Sequence, residues 1–290
     1  MKNFVYKKII NLFIMIFFTG LSMYSIISFD TSFVKTFLNY CEWLFNFILG
    51  NYGLDSKSKE IIFFNFSNDS SKLAIGPKYF NTIFLSIVSI IVCFTLSSIL
   101  NYLIIIHKNV VVNKFASFFK TTIEWISSLH IIIICLFILS LFETNISYLL
   151  AIAMICIGTN AFFEISSTQF SDMKDLNSKD FIIAARAWGD NVVKHMNRSL
   201  TINSINQIMG AWMLFLSNVM IFEIIFQKSG LGYLLFEHFL LQTKTISSQS
   251  TALISEPNLF LAISMLVIIT ICIINTFKNI IITYLMDFKR

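Results

Sequence analysis

The sequence predicts an all-α polytopic membrane protein with about six transmembrane helices, and three observations lead there. The 290-residue chain is 56% hydrophobic, against about 45–50% for soluble domains. Only 13% of it is charged, roughly half the usual ~25%, too little to cover a water-facing surface of this size. Its apolar residues, 32 Phe among them, are gathered into runs of about 20, the length that crosses a bilayer. The mean hydropathy of +0.76 agrees. Soluble globular, disordered, collagen-like and disulfide-scaffold classes are excluded.

The first span is Ile9–Ser28, preceded by Lys2, Lys7 and Lys8. That order also opens a secretory signal. Its run of about 20 residues exceeds the usual core of about 7–15, and no small-x-small cleavage site is obvious after it. It reads as an uncleaved helix. Phe33–Leu49 is apolar but holds Lys35 and Glu42, which predicts an amphipathic helix at the interface or on the outer face. Thr82–Ile106 carries no charge at all. Thr121–Phe142, Ser147–Ser167, Ile205–Phe226 and Leu259–Leu285 complete the six. Lipid leaves no backbone polar group unpaired, and barrel-type alternation is absent, so the spans are helical. Residues 1–79 therefore form one transmembrane helix with an extracellular segment, and 80–290 the transmembrane core.

Lys and Arg set the orientation. One set of loops holds Lys2, Lys7, Lys8, Lys108, Lys114, Lys120, Lys174, Lys179, Arg186, Lys194, Arg198, Lys278, Lys289 and Arg290. That is fourteen of the 21 basic residues, and it predicts both termini on the cytoplasmic side. Of the other seven, Lys35, Lys57, Lys59, Lys72 and Lys78 fall in the long 29–79 segment, where the rule acts weakly. The net charge of +5 is thus a topology signal, and its scatter among loops argues against nucleic-acid binding.

Cys93, Cys135, Cys156 and Cys272 lie inside spans and Cys41 outside them, so no disulfide framework or metal-ligand spacing is formed. No phosphate-binding G-x-x-x-x-G-K-[ST] or G-x-G-x-x-G loop occurs. No catalytic arrangement stands out either, so the chain reads as a non-enzyme that binds no cofactor itself. Any nucleotide energy must come from another chain.

The 168–204 loop is the informative region. From Ser178 to Trp188 it has helical character, with Phe181, Ala184, Ala185 and Trp188 spaced to share a face. Gly189 then permits the turn that ends a helix. A bland alternative is an amphipathic helix lying on the membrane, with Arg186 a snorkelling charge.

The order Asp180-Phe181-Ile-Ile-Ala184-Ala185-Arg186-Ala187-Trp-Gly189 resembles the coupling loop of binding-protein-dependent ABC importer permeases, in the branch serving dipeptides, oligopeptides and nickel. His195 and Arg198 resemble that family's H-x-x-R-N element. Glu223-Ile-Ile-Phe226-Gln-Lys-Ser-Gly230-Leu231-Gly232 is similar to its E-T-x-F-S-W-P-G-L-G. The three elements stand in the family's order, the resemblance as a whole covers about Lys78–Arg290, and Ile48–Gly53 resembles part of the outer segment more loosely. There are departures too. Ile183 replaces the family's leading Glu, Ser229 its Pro, and the stretch from Gly189 to His195 is shorter by about one helical turn.

The resemblance implies a type I ABC importer permease fold in a bacterial cytoplasmic membrane. It implies a second homologous permease, two cytoplasmic ABC ATPases carrying ATP and Mg, and an extracellular solute-binding protein as partners. The 178–198 loop would dock into the ATPase, and Glu223, Gly230 and Gly232 would shape an outer hairpin at the translocation path. Peptides are the expected substrate, with nickel or a metal chelate as alternative. An exporter of the same family, or a membrane scaffold descended from a permease, are the rival readings. Within the spans, Glu164 and Glu124 read as interfacial. His130, Asn160, Gln207 and Asn218 read as helix–helix glue or path-lining groups.

Overall fold

The computed structural model describes residues 2–27, 33–54, 61–64, 75–106, 109–128, 148–158, 160–190, 192–236 and 257–287. Within them the chain is helical apart from one short hairpin: α1 (Lys2–Ile27), α2 (Phe33–Ile48), β1 (Asn51–Leu54), β2 (Ile61–Phe63), α3 (Ile75–Ile105), α4 (Val110–Ser128), α5 (Tyr148–Gly158), α6 (Ala161–Asn177), α7 (Asp180–Ala187), α8 (Val192–Ile225) and α9 (Pro257–Asp287). Among the described residues, four segments are long and apolar enough to cross a membrane: Tyr6–Ile26, Ile75–Ile105, Ser199–Ile225 and Asn258–Leu285. At 31 residues, α3 is about 47 Å long and exceeds a hydrocarbon core of about 30 Å.

The remaining two expected spans differ in form. The one beginning at Thr121 is described as far as Ser128 on α4, and its remainder, with His130, lies outside the described residues. The one expected at Ser147–Ser167 is a pair of helices, α5 and α6, bent by 56°. The break has a local cause. Asn160 sits in the left-handed region, with φ 64°, a conformation that Asn tolerates better than most side chains.

Two features reconcile these helices with lipid. Both prolines stand in a first turn, Pro77 in α3 and Pro257 at the head of α9, where a missing N–H breaks no helical bond. Hydroxyls on apolar stretches bond back to their own helix. Thr19 donates to the Met15 carbonyl at 2.7 Å, Thr95 to Ile91 at 2.8 Å and Thr276 to Cys272 at 2.9 Å, so none needs water. Large apolar side chains such as Phe13, Phe18, Ile91, Ile99 and Phe277 point outward, as suits a lipid surface and not a soluble one.

The chain forms two compact units: Met1–Thr82 with Gln227–Ile280, and Ile83–Phe226 with Ile281–Arg290. In the first, α2 packs on α1 through Tyr40, whose hydroxyl donates to the Phe17 carbonyl at 3.1 Å. Rings then follow one another from Tyr40 to Trp43, Phe47 and Tyr52. Tyr52 leads to Phe64 and on to Tyr79. Burial, helped by neighbouring Tyr79, pushes the Tyr52 phenol up to about 12. Tyr79 meets the Thr270 hydroxyl of α9 at 2.6 Å. The turn before residues 231–236 is tied to the start of α3. Asn81 donates to the Ser229 carbonyl at 3.3 Å, and the Leu231 N–H donates to Thr82 Oγ1 at 2.9 Å.

In the second unit α6 is central, packing against α4, α5, α7 and α8. It meets α3 and α4 through polar groups. Ser97 Oγ donates to Gln169 Oε1 at 2.6 Å, and Asn101 Nδ2 donates to the Ser166 carbonyl at 3.0 Å. Ser166 Oγ donates to Glu124 Oε1 at 3.2 Å. Glu124 also pairs with Lys120 at 3.6 Å, and the Lys120 ammonium lies 4.0 Å over the Phe170 ring. Lipid supplies no hydrophobic driving force between helices, so close packing and such bonds hold one helix against another.

Candidate functional site

The site is the connection from α6 through α7 to α8, built by two tight stops. The first ends α6: Ser178 N–H donates to the Lys174 carbonyl and Lys179 N–H to that of Leu176. Lys179 then turns extended, at φ −72° and ψ 143°, and α7 starts with Asp180, whose carboxylate complements the helix N-terminus.

The second stop ends α7. Gly189 N–H donates to the Arg186 carbonyl at 3.2 Å, and Asp190 N–H to that of Ala185 at 2.9 Å. With Gly189 at φ 74°, this is a Schellman motif, the αL glycine closing the helix and satisfying two late carbonyls. A side chain at Gly189 would meet nothing within 4 Å, so the glycine is required by backbone conformation and not by space.

Two side-chain bonds brace the loop. Arg186 Nη2 donates to Asn177 Oδ1 at 2.6 Å, holding the end of α7 to the end of α6. His195 Nε2 and Asp190 Oδ2 are 2.9 Å apart, joining the turn to the first turns of α8. One helix turn deeper, Asp172 Oδ2 accepts from Gln207 at 2.6 Å and Asn203 at 3.3 Å, clasping α6 to α8.

The faces of α7 divide by helical spacing. Ile182 and Ala185, three residues apart, point inward and are buried. Phe181, Ala184 and Trp188 follow i, i+3, i+7 spacing on the outer side. Phe181 is 49% and Trp188 85% exposed, and Ile183, at the other edge of the exposed arc, is 52% exposed. The expectation that Ala185 shares this face is corrected, because its position sets it beside Ile182 against the chain's own helices. Arg186 and Ala187 are exposed. The result is a short helix, fixed at both ends, that leaves large apolar side chains exposed.

The other expected residues are placed as follows. Arg198 lies on α8, which His195 joins to the loop. Glu223 is buried near the end of α8 in the second unit, while Gly230 and Gly232 are buried in the Thr82-anchored turn of the first. Sequence reasoning did not find Asn177, Asp172 or Asn203. Their signal was only that each is a polar residue at a helix end or within about three turns of one, which describes many solvated residues equally well. Among the described residues no cluster of His, Cys, Asp or Glu is arranged to hold a metal.

No protein-family model and no curated protein matches the chain.

Proposed function

We propose that this chain is the membrane-spanning permease subunit of an ABC transporter, forming with a second permease the path that imports peptides, or nickel and metal chelates. Two cytoplasmic ATPases would bind ATP and Mg, and an extracellular solute-binding protein would deliver the substrate. The observation that carries this reading is the braced helix α7, with Phe181, Ile183 and Trp188 exposed on it. Its residue order is the one that resembles the family's ATPase-coupling loop.

The mechanism follows from the brace. A force applied to α7 passes to α6 through Arg186–Asn177 and to α8 through Asp190–His195. A rigid loop moves the ends of both helices, whereas a floppy one would absorb the stroke. ATP and a loaded receptor would both favour the outward-facing state, which is what coupling requires energetically.

The test is purification from native membranes in mild detergent, comparing wild type with Ile183→Asp. Ile183 is exposed, so the substitution buries no charge within the chain. A second permease and a Walker-motif ATPase are expected with wild type, and the variant should lose the ATPase while keeping the second permease. If wild type brings down no ATPase where a control transporter stays intact, the coupling reading fails and a scaffold role replaces it. Transport direction in vesicles separates importer from exporter.

A further inference from the structure

In the first unit, α1, α2 and α9 line an open crevice of about 530 Å³, well within the size range of ligand-binding pockets. Every one of its lining residues is apolar, among them Leu12 and Ile16 of α1, Leu44 and Phe47 of α2, and Ile269 and Ile273 of α9. Such walls offer water no hydrogen-bonding partner. A peptide segment would bring backbone N–H and C=O groups that nothing in the wall could pair. The walls therefore select hydrocarbon, and two of the three helices, α1 and α9, are long and apolar enough to cross the bilayer.

One end of the crevice is basic. Lys8, Leu12 and Ile16 follow one another at i, i+4 along α1, so Lys8 lies on the stripe that lines the crevice, one turn beyond its last wall residue. Lys7 lies two turns before Ile14 and three before Phe18, which line it too. From Lys8 to Phe18 is ten residues, or about 15 Å of helix, half of a hydrocarbon core of about 30 Å. Lysine head and apolar groove together thus span one leaflet.

We propose that this crevice is a binding site for one anionic phospholipid. An acyl chain lies against Leu12, Ile16, Phe47 and Ile269, and the phosphate sits at Lys7 and Lys8. Groups of basic residues beside apolar helix surfaces recognise anionic head groups in this way. The lipid would join α2 to the two spanning helices, filling space that no side chain of these three helices occupies.

The experiment is native mass spectrometry of the full chain reconstituted in nanodiscs of phosphatidylglycerol and phosphatidylcholine with identical acyl chains. Wild type is expected to keep phosphatidylglycerol over phosphatidylcholine by a factor on the order of tenfold. Lys7→Gln with Lys8→Gln should bring the ratio near one while leaving a bound lipid. Ile16→Trp should fill the crevice and abolish retention of both. Leu44→Trp, filling from α2, repeats that arm should Ile16→Trp fold poorly. Equal retention of the two lipids by wild type, or an unchanged ratio in the lysine variant, overturns the proposal. So does retention in both tryptophan variants, or loss of lipid whenever a second permease chain co-purifies, which would make a partner helix the occupant.

Discussion

Arg186 donates to Asn177 across nine residues at 2.6 Å, closing the α6–α7 corner from the side that faces solvent. The bond holds the short helix against a longer one that could otherwise move without it. Arg186→Ala and Asn177→Ala should therefore loosen the same unit. Hydrogen exchange of the α7 amides should quicken in each, and no further in the double variant. For an exposed hydrogen bond such as this one the coupling is about 0.5–1.5 kcal/mol. A normal exchange rate in Asn177→Ala would show that the corner is held by Ile182 and Ala185 alone.

Gly189 makes a prediction of a different physical kind. Its φ of 74° is costly for a side chain, while the space around it is open. Gly189→Ala should destabilise the end of α7 by about 1–2 kcal/mol, and Gly189→Asn by less, because Asn enters αL more readily. Limited proteolysis at Trp188–Asp190 reads the difference. Equal protection of both variants would mean that the turn has another conformation available.

The long apolar runs were legible because a span needs only length and hydropathy, and Tyr6–Ile26, Ile75–Ile105, Ser199–Ile225 and Asn258–Leu285 each satisfy both. The α5–α6 bend was not, because Asn160 in a left-handed conformation looks, in sequence, like any Asn inside an apolar run. At the candidate site, the glycine stop was visible in the order Ala-Trp-Gly. The orientation of α7 was not, since 100° per residue leaves Ala184 and Ala185 on adjacent faces and tertiary packing decides which is buried. The braces were the least legible. Asp172, Asn203 and Gln207 meet across 31 and 35 residues, a distance over which no periodicity carries information.

The polar contacts among α3, α4 and α6 predict an asymmetry between single and double substitutions. Glu124 accepts from Ser166 and pairs with Lys120, whose other neighbour is the Phe170 ring. Glu124→Ala would leave a largely buried ammonium with the ring alone. Removing one partner of such a pair is expected to cost about 3–5 kcal/mol when the pair is fully buried, and less for this partly accessible one. Lys120→Met with Glu124→Leu should cost less than Glu124→Ala, since no charge is stranded. Thermal unfolding in one detergent tests the order of the three. If the double variant is the least stable, the pair is a net source of stability and the helices depend on it.

Gly20 and Tyr40 supply the last prediction. Where α2 crosses α1, the Tyr40 hydroxyl reaches the Phe17 carbonyl over the bare face of Gly20. A Cβ at Gly20 would collide with that hydroxyl and come within 2.8 Å of Met265 Sδ. Met265 is the far end of a flexible side chain and can give way, but the tyrosine is held by its bond and by Phe17, Tyr24 and Trp43 around its ring. Gly20→Ala should thus destabilise by about 1–3 kcal/mol, despite the gain in helix propensity. Tyr40→Phe alone loses one hydrogen bond, about 1 kcal/mol. Combined with Gly20→Ala it also removes the colliding atom, so the double variant should be more stable than Gly20→Ala alone. Unfolding midpoints of the four proteins decide the matter. Strict additivity would place the Gly20 constraint on Met265, and the crossing of α1 and α2 would then be set by α9.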